Sequence, residues 1–346
     1  MTKSLQQVSG NAFLGDDLAP APVDIFIENG VITAVEDNPR APDVWICPAL
    51  FNAHTHLGDT IAMDCAVTGD LEALVTPPDG LKHQLLRAAS RQDLVGGMRA
   101  SIEGMIASGT SGCADFREGG VAGVLALAEA ADGLPFFPFI FGRDGGETMA
   151  GGLGISSTRD VRNAEQRVMD ARRMGKKIAF HAGERDAADI ETAIAFEPDL
   201  LIHMTHATKK QLRECAENDI PIAVCPRSNW VLGVASTSRH PPLSLMEELG
   251  CRVCLGTDNA MFVPPDLFSE MAFVSTVYRI PPADILRAAV RGSAVFGRSF
   301  FIRKGSRASL FVADPGRSAL RFSRDPLATL VKRANSAVIR TNIFSW

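Results

Sequence analysis

Apolar and polar positions alternate along this chain in blocks. From about residue 43 to residue 290, short apolar runs are separated by amphipathic stretches, which is the pattern of repeated strand–helix units. Eight runs read as strands: 45–56 (WICPALFNAHTH), 110–116 (TSGCADF), 134–142 (LPFFPFIFG), 152–156 (GLGIS), 176–184 (KKIAFHAGE), 199–206 (DLLIHMTH), 220–228 (IPIAVCPRS) and 252–258 (RVCLGTD). Helices are expected between them, among others over 91–107, 159–174 and 208–217. Eight sequential units close most naturally into a barrel, with the active site at the C-terminal ends of the strands.

Two outer segments break this rhythm. Residues 20–42 alternate apolar and polar positions around Asn29-Gly30, a strong two-residue hairpin signal, and 307–314 and 336–346 read as further short strands. The economical arrangement is an α/β fold: a (β/α)8 TIM barrel over 46–303, flanked by a small β-domain built from 1–45 and 304–346 of the two chain termini.

Composition narrows the function classes. With 46% hydrophobic and 22% charged residues among 346, the chain has the makeup of a globular protein with a sizeable core. A net charge of −5 and no long basic run disfavour a nucleic-acid partner. No apolar run reaches the length of a membrane span and no signal-peptide pattern opens the sequence, so a cytoplasmic protein without a membrane partner is expected. Seven scattered cysteines fit reduced thiols. Cys251 and Cys254 form a C-x-x-C, but on a strand they face opposite ways and do not grip one ion.

Candidate chemistry sits at the strand ends. His54 and His56 close the first strand, and the period of two sends both imidazoles to one side, as two ligands of one ion require. A polar strand end is the competing reading. His181 ends the fifth strand, either as a hydrogen-bonded core residue or as part of a site, and Glu184 follows it by three positions, where a carboxylate beside an activated water moves protons. His203 and His206 end the sixth strand at a separation of three; His203 is the one expected to point into the barrel mouth, with His206 supporting the loop or standing behind the site. Asp258 closes the eighth strand, and the five residues 259–263 separate it from a helix expected near Pro264, which weakens its reading as a helix cap. Strand ends one, five, six and eight thus each present a metal-competent or proton-moving group, a coincidence more specific than any single motif.

Taken in order, FNAHTH, HAGE, HMTH, CPRSN and GTDN resemble the amidohydrolase superfamily, and within it the mononuclear deaminases related to adenosine and cytosine deaminase. The flanking β-domain is similar to that of the cytosine deaminase, guanine deaminase and chlorohydrolase-type branch, and IRKGSRASLFVAD resembles the segment where that branch returns to its β-domain. The resemblance implies His54, His56, His181 and Asp258 as metal ligands, Glu184 as the proton shuttle and His203 as the residue bonded to the attacking water, with Asp258 joining in orienting that water. It implies one divalent ion, Zn2+ first and Fe2+ or Mn2+ as alternatives, since the fourth strand lacks the lysine of binuclear relatives. The chain looks shorter than most of the chlorohydrolase-type branch, which implies trimmed substrate loops.

The expected activity is hydrolytic deamination of an amino-substituted nitrogen heterocycle: an aminopurine, aminopyrimidine, pterin or nucleoside-like molecule. The alternatives are cleavage of a cyclic amide or a C–Cl bond on the same scaffold, and a non-catalytic barrel that binds a small molecule. Substrate contacts are expected from Asp59 and Asp64 after the first strand, from Phe116, Arg117 and Arg143 at later strand ends, and from Ser228, Asn229 and Trp230 after the seventh strand. Arg143 meets an anionic group or lies at the surface, and Trp230 stacks on substrate or simply packs. Asn259, like His206, is expected behind the ligand shell, and a homo-oligomer is left open.

Overall fold

In the computed structural model, which describes residues 5–63, 65–66, 68–69 and 71–345, the apolar runs of the middle of the chain form a ring of parallel strands. These are β5 (Leu50–His56), β6 (Thr110–Arg117), β7 (Phe137–Gly142), β8 (Gly152–Ile155), β9 (Lys177–Ala182), β10 (Leu200–His203) and β11 (Ile222–Val224), followed by an eighth strand in two pieces, β12 (Val253–Leu255) and β13 (Asp258–Asn259). β12 pairs with β11 and β13 pairs with β5, so the two pieces close the ring. The break falls at Gly256 and Thr257, where a Cβ on Gly256 would lie 2.8 Å from the His54 Cβ. Only glycine lets the eighth strand come this near the first.

The expected 45–56 strand is two strands in different sheets. Trp45–Pro48 (β4) belongs to the small sheet, and the split comes at Ala49, whose N–H donates to Ser309 while that of Leu50 donates to Gly109 beside the barrel. The expected 220–228 strand is also shorter, because Pro226 opens a helical turn right after Cys225.

Twelve helices are described: α1 (Leu71–Val75), α2 (Leu81–Ala88), α3 (Arg91–Ala107), α4 (Gly120–Ala131), α5 (Ala164–Arg173), α6 (Ile190–Ala195), α7 (Lys209–Glu217), α8 (Pro226–Val231), α9 (Leu243–Glu248), α10 (Leu267–Val277), α11 (Pro282–Val295) and α12 (Pro326–Arg333). The 91–107 expectation coincides with α3, which Ser90 caps by accepting from Asp93 N–H. The helix expected near Pro264 begins instead at Leu267 with Asp266 as its cap, which leaves Asp258 free of that duty. No helix among the described residues is long and apolar enough to cross a membrane.

The small sheet has the order β15-β14-β4-β1-β2-β3 and is formed by β1 (Leu5–Leu14), β2 (Ala19–Glu28), β3 (Val31–Asp37) and β4 from one side of the chain, with β14 (Ser309–Ala313) and β15 (Ile339–Phe344) from the other. Asn29 and Gly30 both have positive φ, 51° and 76°, as a type I′ turn requires. Val23, Ile25 and Ile27 alternate inward along β2 onto Ile46 and Leu310. β1 was not expected from the sequence, because LQQVSGNAFL carries polar and small residues on its early positions and no run of branched ones. The barrel core is aromatic, with Phe51, Phe116, Phe141 and Phe180 fully buried. Truncating any of them to alanine is expected to cost about 3–5 kcal/mol.

Candidate metal centre and active site

The barrel topology brings the C-terminal ends of β5, β9, β10 and β13 to one mouth, and with them His54, His56, His181, His203 and Asp258. His54 Nε2 lies 3.2 Å and His56 Nε2 3.5 Å from the same atom, Asp258 Oδ1. Donors that share one ion at bond lengths of about 2.0–2.2 Å sit roughly 3.0–3.5 Å from one another. The donor atoms of His54, His56 and Asp258 fall within 4.8 Å of one another, as do those of His54, His181 and His203, and of Glu184, His203 and Asp258. The four expected ligands and the two expected proton-handling groups are therefore one cluster, and His203 lies as near a ligand position as His181 does.

The surroundings orient these donors. His56 Nδ1 is 3.1 Å from the Phe116 carbonyl and 2.8 Å from Glu118 Oε1, and His181 Nδ1 is 3.0 Å from the Ile155 carbonyl. A nitrogen that donates to a carbonyl carries the proton, which leaves Nε2 as the free lone pair of each ring. On Asp258, Oδ2 accepts from Ser228 Oγ at 2.7 Å and Asn259 Nδ2 at 2.8 Å, so Oδ1 remains for the centre. Burial drives His54 down to about 4 against the hydrogen bond and charge of Asp258, and it pushes His56 and His181 well below the usual imidazole range. Neutral imidazoles are what an ion needs. Burial alone would raise Asp258, but the hydrogen bond from His54 and the nearby His203 and His56 outweigh it and hold the carboxylate ionised. His54 Nδ1 and His203 Nδ1 are buried without a hydrogen-bond partner, and His203 and Asp258 sit at φ +72° and +62°, a backbone region that non-glycine residues adopt only under constraint. This donor set fits a divalent cation.

Glu184 faces the same cavity, its Oε2 3.6 Å from His203 Nε2, and burial raises its carboxyl above the ordinary range while His203 opposes the shift. Gly183 makes this placement: at φ +69° it turns the chain sharply after His181, and a Cβ there would lie 2.6 Å from Ile190. The cavity is open to solvent, with about 570 Å³ of empty space when its mouth is included. One wall is apolar, from Leu71, Val75 and Pro77, and another carries Arg143.

Arg143 is nearly buried, and its hydrogen bonding is incomplete. NH1 reaches Glu118 Oε1 only at 3.4 Å, Nε has no partner, and NH2 lies 3.3 Å from a His181 nitrogen already directed at Ile155. It lines the cavity and is not a surface residue.

The other expected substrate contacts lie elsewhere. Asp59 is fully buried beside Lys82 and outside the cavity wall, because the 3₁₀ turn Leu57–Ala62 carries it beneath α2. Ser228 points at Asp258, Asn229 donates to Thr205 Oγ1 at 2.8 Å, and Trp230 donates to Tyr278 OH at 2.9 Å while packing on Phe273, so all three brace the barrel from behind. The helical turn after Cys225 directs them there. Phe116 packs edge-on against His54 and His181, and Arg117 is buried in ion pairs with Asp115 and Glu118. His206 is away from the cavity wall, ring to ring with His240 at 4.9 Å, and its backbone N–H donates to the Gly183 carbonyl. Asn259 touches Asp258 and also lines the cavity. Asp64 lies outside the described residues.

Several charged residues of the site carry no assignment from the sequence: Asp160, Arg185 and Asp189 line the cavity, and Glu118 and Lys82 stand beside the proposed ligands. Glu118 is buried between His56, Lys82 and Arg117, and the cations of Lys82 and Arg117 outweigh the effect of burial and hold its carboxyl well below the usual range. The charged run Asp115–Glu118 at the end of an apolar strand was the available signal for it. Lys82 gave none, because α2 reads as an ordinary amphipathic surface helix.

The family model for adenosine deaminase matches residues 152–300, and that for the amidohydrolase family matches residues 45–168. A putative aminohydrolase of Methanothermobacter thermautotrophicus is 30% identical over 95% of this chain and 94% of its own length, and one of Archaeoglobus fulgidus is 37% identical over 86% of each. Among solved structures, an adenosine deaminase from Xanthomonas campestris with bound zinc superposes with a TM-score of 0.78 at 19% identity, covering 96% of this chain and 90% of that one.

Proposed function

This chain belongs to the amidohydrolase family, as a hydrolase of carbon–nitrogen bonds other than peptide bonds, and from there we propose that it is a metal-dependent deaminase that releases ammonia from an amino-substituted nitrogen heterocycle. The observation that carries the reading is the convergence of three imidazoles and the Asp258 carboxylate within reach of Glu184, at the mouth of a cavity with one apolar wall.

His54, His56, His181 and Asp258 would hold a divalent ion, which when bound would make hydroxide available near neutral pH, since such ions lower the pKa of water to about 7. Zinc suits the three imidazoles and one carboxylate, as do Fe2+ and Mn2+. The chain's own groups do the rest. Glu184 takes a proton from the nucleophilic water and delivers it to the ring nitrogen, which makes the neighbouring carbon more electrophilic. His203 and Asp258 orient the nucleophile toward that carbon. Once the C–O bond has formed, Glu184 takes the second proton, from the hydroxyl of the tetrahedral adduct, and passes it to the amine; the C–N bond breaks, ammonia leaves and a carbonyl remains. The apolar wall of Leu71, Val75 and Pro77 takes the face of a flat ring, and Arg143, with donors to spare, reads an acceptor on its edge.

The test is ammonia release from a panel of aminopurines, aminopyrimidines, pterins and their nucleosides, using protein whose metal content has been measured. Turnover of at least one member is expected. Metal-loaded protein that releases no ammonia from any of them refutes the deaminase reading, and chloride release or opening of a cyclic amide would then identify the alternative on this scaffold.

A further inference from the structure

Lys82 reaches the site from α2, outside the ring of strands, and is almost completely buried. Its ammonium donates to Asn259 Oδ1 at 3.0 Å and lies 3.1 Å from Glu118 Oε1 and 3.1 Å from Asp59 Oδ2. The contacts to Glu118 and Asp59 are ion pairs off the line of a hydrogen bond, and neither Asp59 oxygen has a directed donor. The other two partners each hold one group of the proposed metal centre: Glu118 Oε1 stands 2.8 Å from His56 Nδ1, and Asn259 Nδ2 donates to Asp258 Oδ2 at 2.8 Å. A single side chain thus joins ligand-bearing residues from the first and the eighth strand.

We propose that Lys82 is a positioning residue for the metal centre, fixing His56 through Glu118 and Asp258 through Asn259 at the same time. Two properties of an ammonium make it suited to this. It only donates, so the amide oxygen of Asn259 must face Lys82, and the amide nitrogen is thereby turned toward Asp258. A neutral amide partner would leave that orientation open. Its charge also pairs with Glu118 Oε1, the oxygen that stands 2.8 Å from His56 Nδ1, so the ring is held with its opposite nitrogen toward Asp258. Arg117 secures the other Glu118 oxygen at 2.6 Å but makes no contact with Asn259, so it cannot take over both tasks. Lys82 also lines the cavity, although its three partners already engage the ammonium, so it holds ligands and does not read substrate.

The inference rests on the metal centre of the proposed function, and its readout is metal affinity in place of turnover. Zn2+ binding to the full chain is measured by competition with a chromophoric chelator, and the Co2+-substituted protein supplies an absorption spectrum that reports ligand geometry. Lys82→Met is expected to weaken Zn2+ binding about 10- to 100-fold, the range for lost partners of metal ligands, and to alter the Co2+ spectrum. Lys82→Gln, which keeps a donor without the charge, should fall between Lys82→Met and the unaltered protein. Asn259→Ser cuts only the branch to Asp258 and should also fall between them; these two variants carry the test if Lys82→Met does not fold. Affinities and spectra matching the unaltered protein overturn the proposal, even where turnover has fallen. An unaltered protein that binds no divalent ion removes the metal centre itself, and the proposal with it.

Discussion

Replacing Glu184 by glutamine is the sharpest test of how this site works. The substitution preserves size and one hydrogen-bonding face but removes the ability to accept a proton. In the fold Glu184 stands at the cavity with Oε2 3.6 Å from His203 Nε2, after the glycine turn that follows His181, and among the described residues no backbone N–H is bonded to its carboxylate. The structure therefore assigns it little work in stability, and the loss should appear almost wholly in rate. Loss of positioned acid–base catalysis costs about 10²–10⁴-fold, or roughly 3–5 kcal/mol in the activation barrier. The assay is continuous ammonia release on the fastest substrate of the panel, with bound metal quantified on the same sample. Turnover should fall by that factor while metal content stays at the level of the unaltered protein. The pH profile adds a sign. As a base Glu184 must be ionised, and because burial raises its pKa, activity should be lost as pH falls through a value above the ordinary glutamate figure of about 4.3. The glutamine variant should lack that acid limb. Full turnover in Glu184→Gln refutes the assignment, and loss of metal together with activity would show Glu184 to be a ligand.

Ser228→Ala deletes the 2.7 Å donor to Asp258 Oδ2 and should weaken Zn2+ binding about tenfold, measured by chelator competition, with little change in KM because Ser228 does not line the cavity. Stripping the ion with a chelator should lower Tm; an ion present at 100 times its Kd contributes about 2.7 kcal/mol, and an unchanged Tm would mean that no ion is held. Arg227→Ala leaves the fully buried Glu270 without the cation 2.6 Å away and is expected to cost about 3–5 kcal/mol near neutral pH, read by chemical denaturation. Burial already raises Glu270 against the pull of Arg227, and removing the arginine raises it further. The folded state then keeps a proton that the unfolded chain releases, so the deficit should be small near pH 4 and grow as pH rises through the unfolded value.

The ligand-bearing strand ends were legible because strand periodicity and chemistry coincide there: His54 and His56 share a face, and His181, His203 and Asp258 each terminate an apolar run. Local sequence carries no comparable signal for a side chain's depth or for its partner across the barrel. Ser228, Asn229 and Trp230 follow a strand as substrate contacts do, yet the helix opened by Pro226 rotates them behind the mouth. Asp59 looked like a loop carboxylate and is buried under α2. Lys82 was invisible for the complementary reason, since its meaning depends on Asn259, which is 177 residues away. The split of 45–56 between two sheets was equally hidden, because a continuous apolar run does not reveal where its N–H groups change partners.

The sheet that draws β1–β4 from one side of the chain and β14–β15 from the other has a consequence for synthesis. β4 offers an edge that only β14 covers, and Pro48 and Ser309 are some 260 residues apart. At about 5–20 residues per second, a ribosome leaves that edge bare for roughly 13–50 s. In that interval the nascent chain can zip the β1–β2 hairpin, pair β1 with β4 and assemble barrel units in order, but one edge of a hydrophobic strand stays unpaired. Early release of the chain, by a premature stop codon between residues 259 and 309, is therefore expected to yield an aggregation-prone product, even though every proposed ion-binding residue has already been translated.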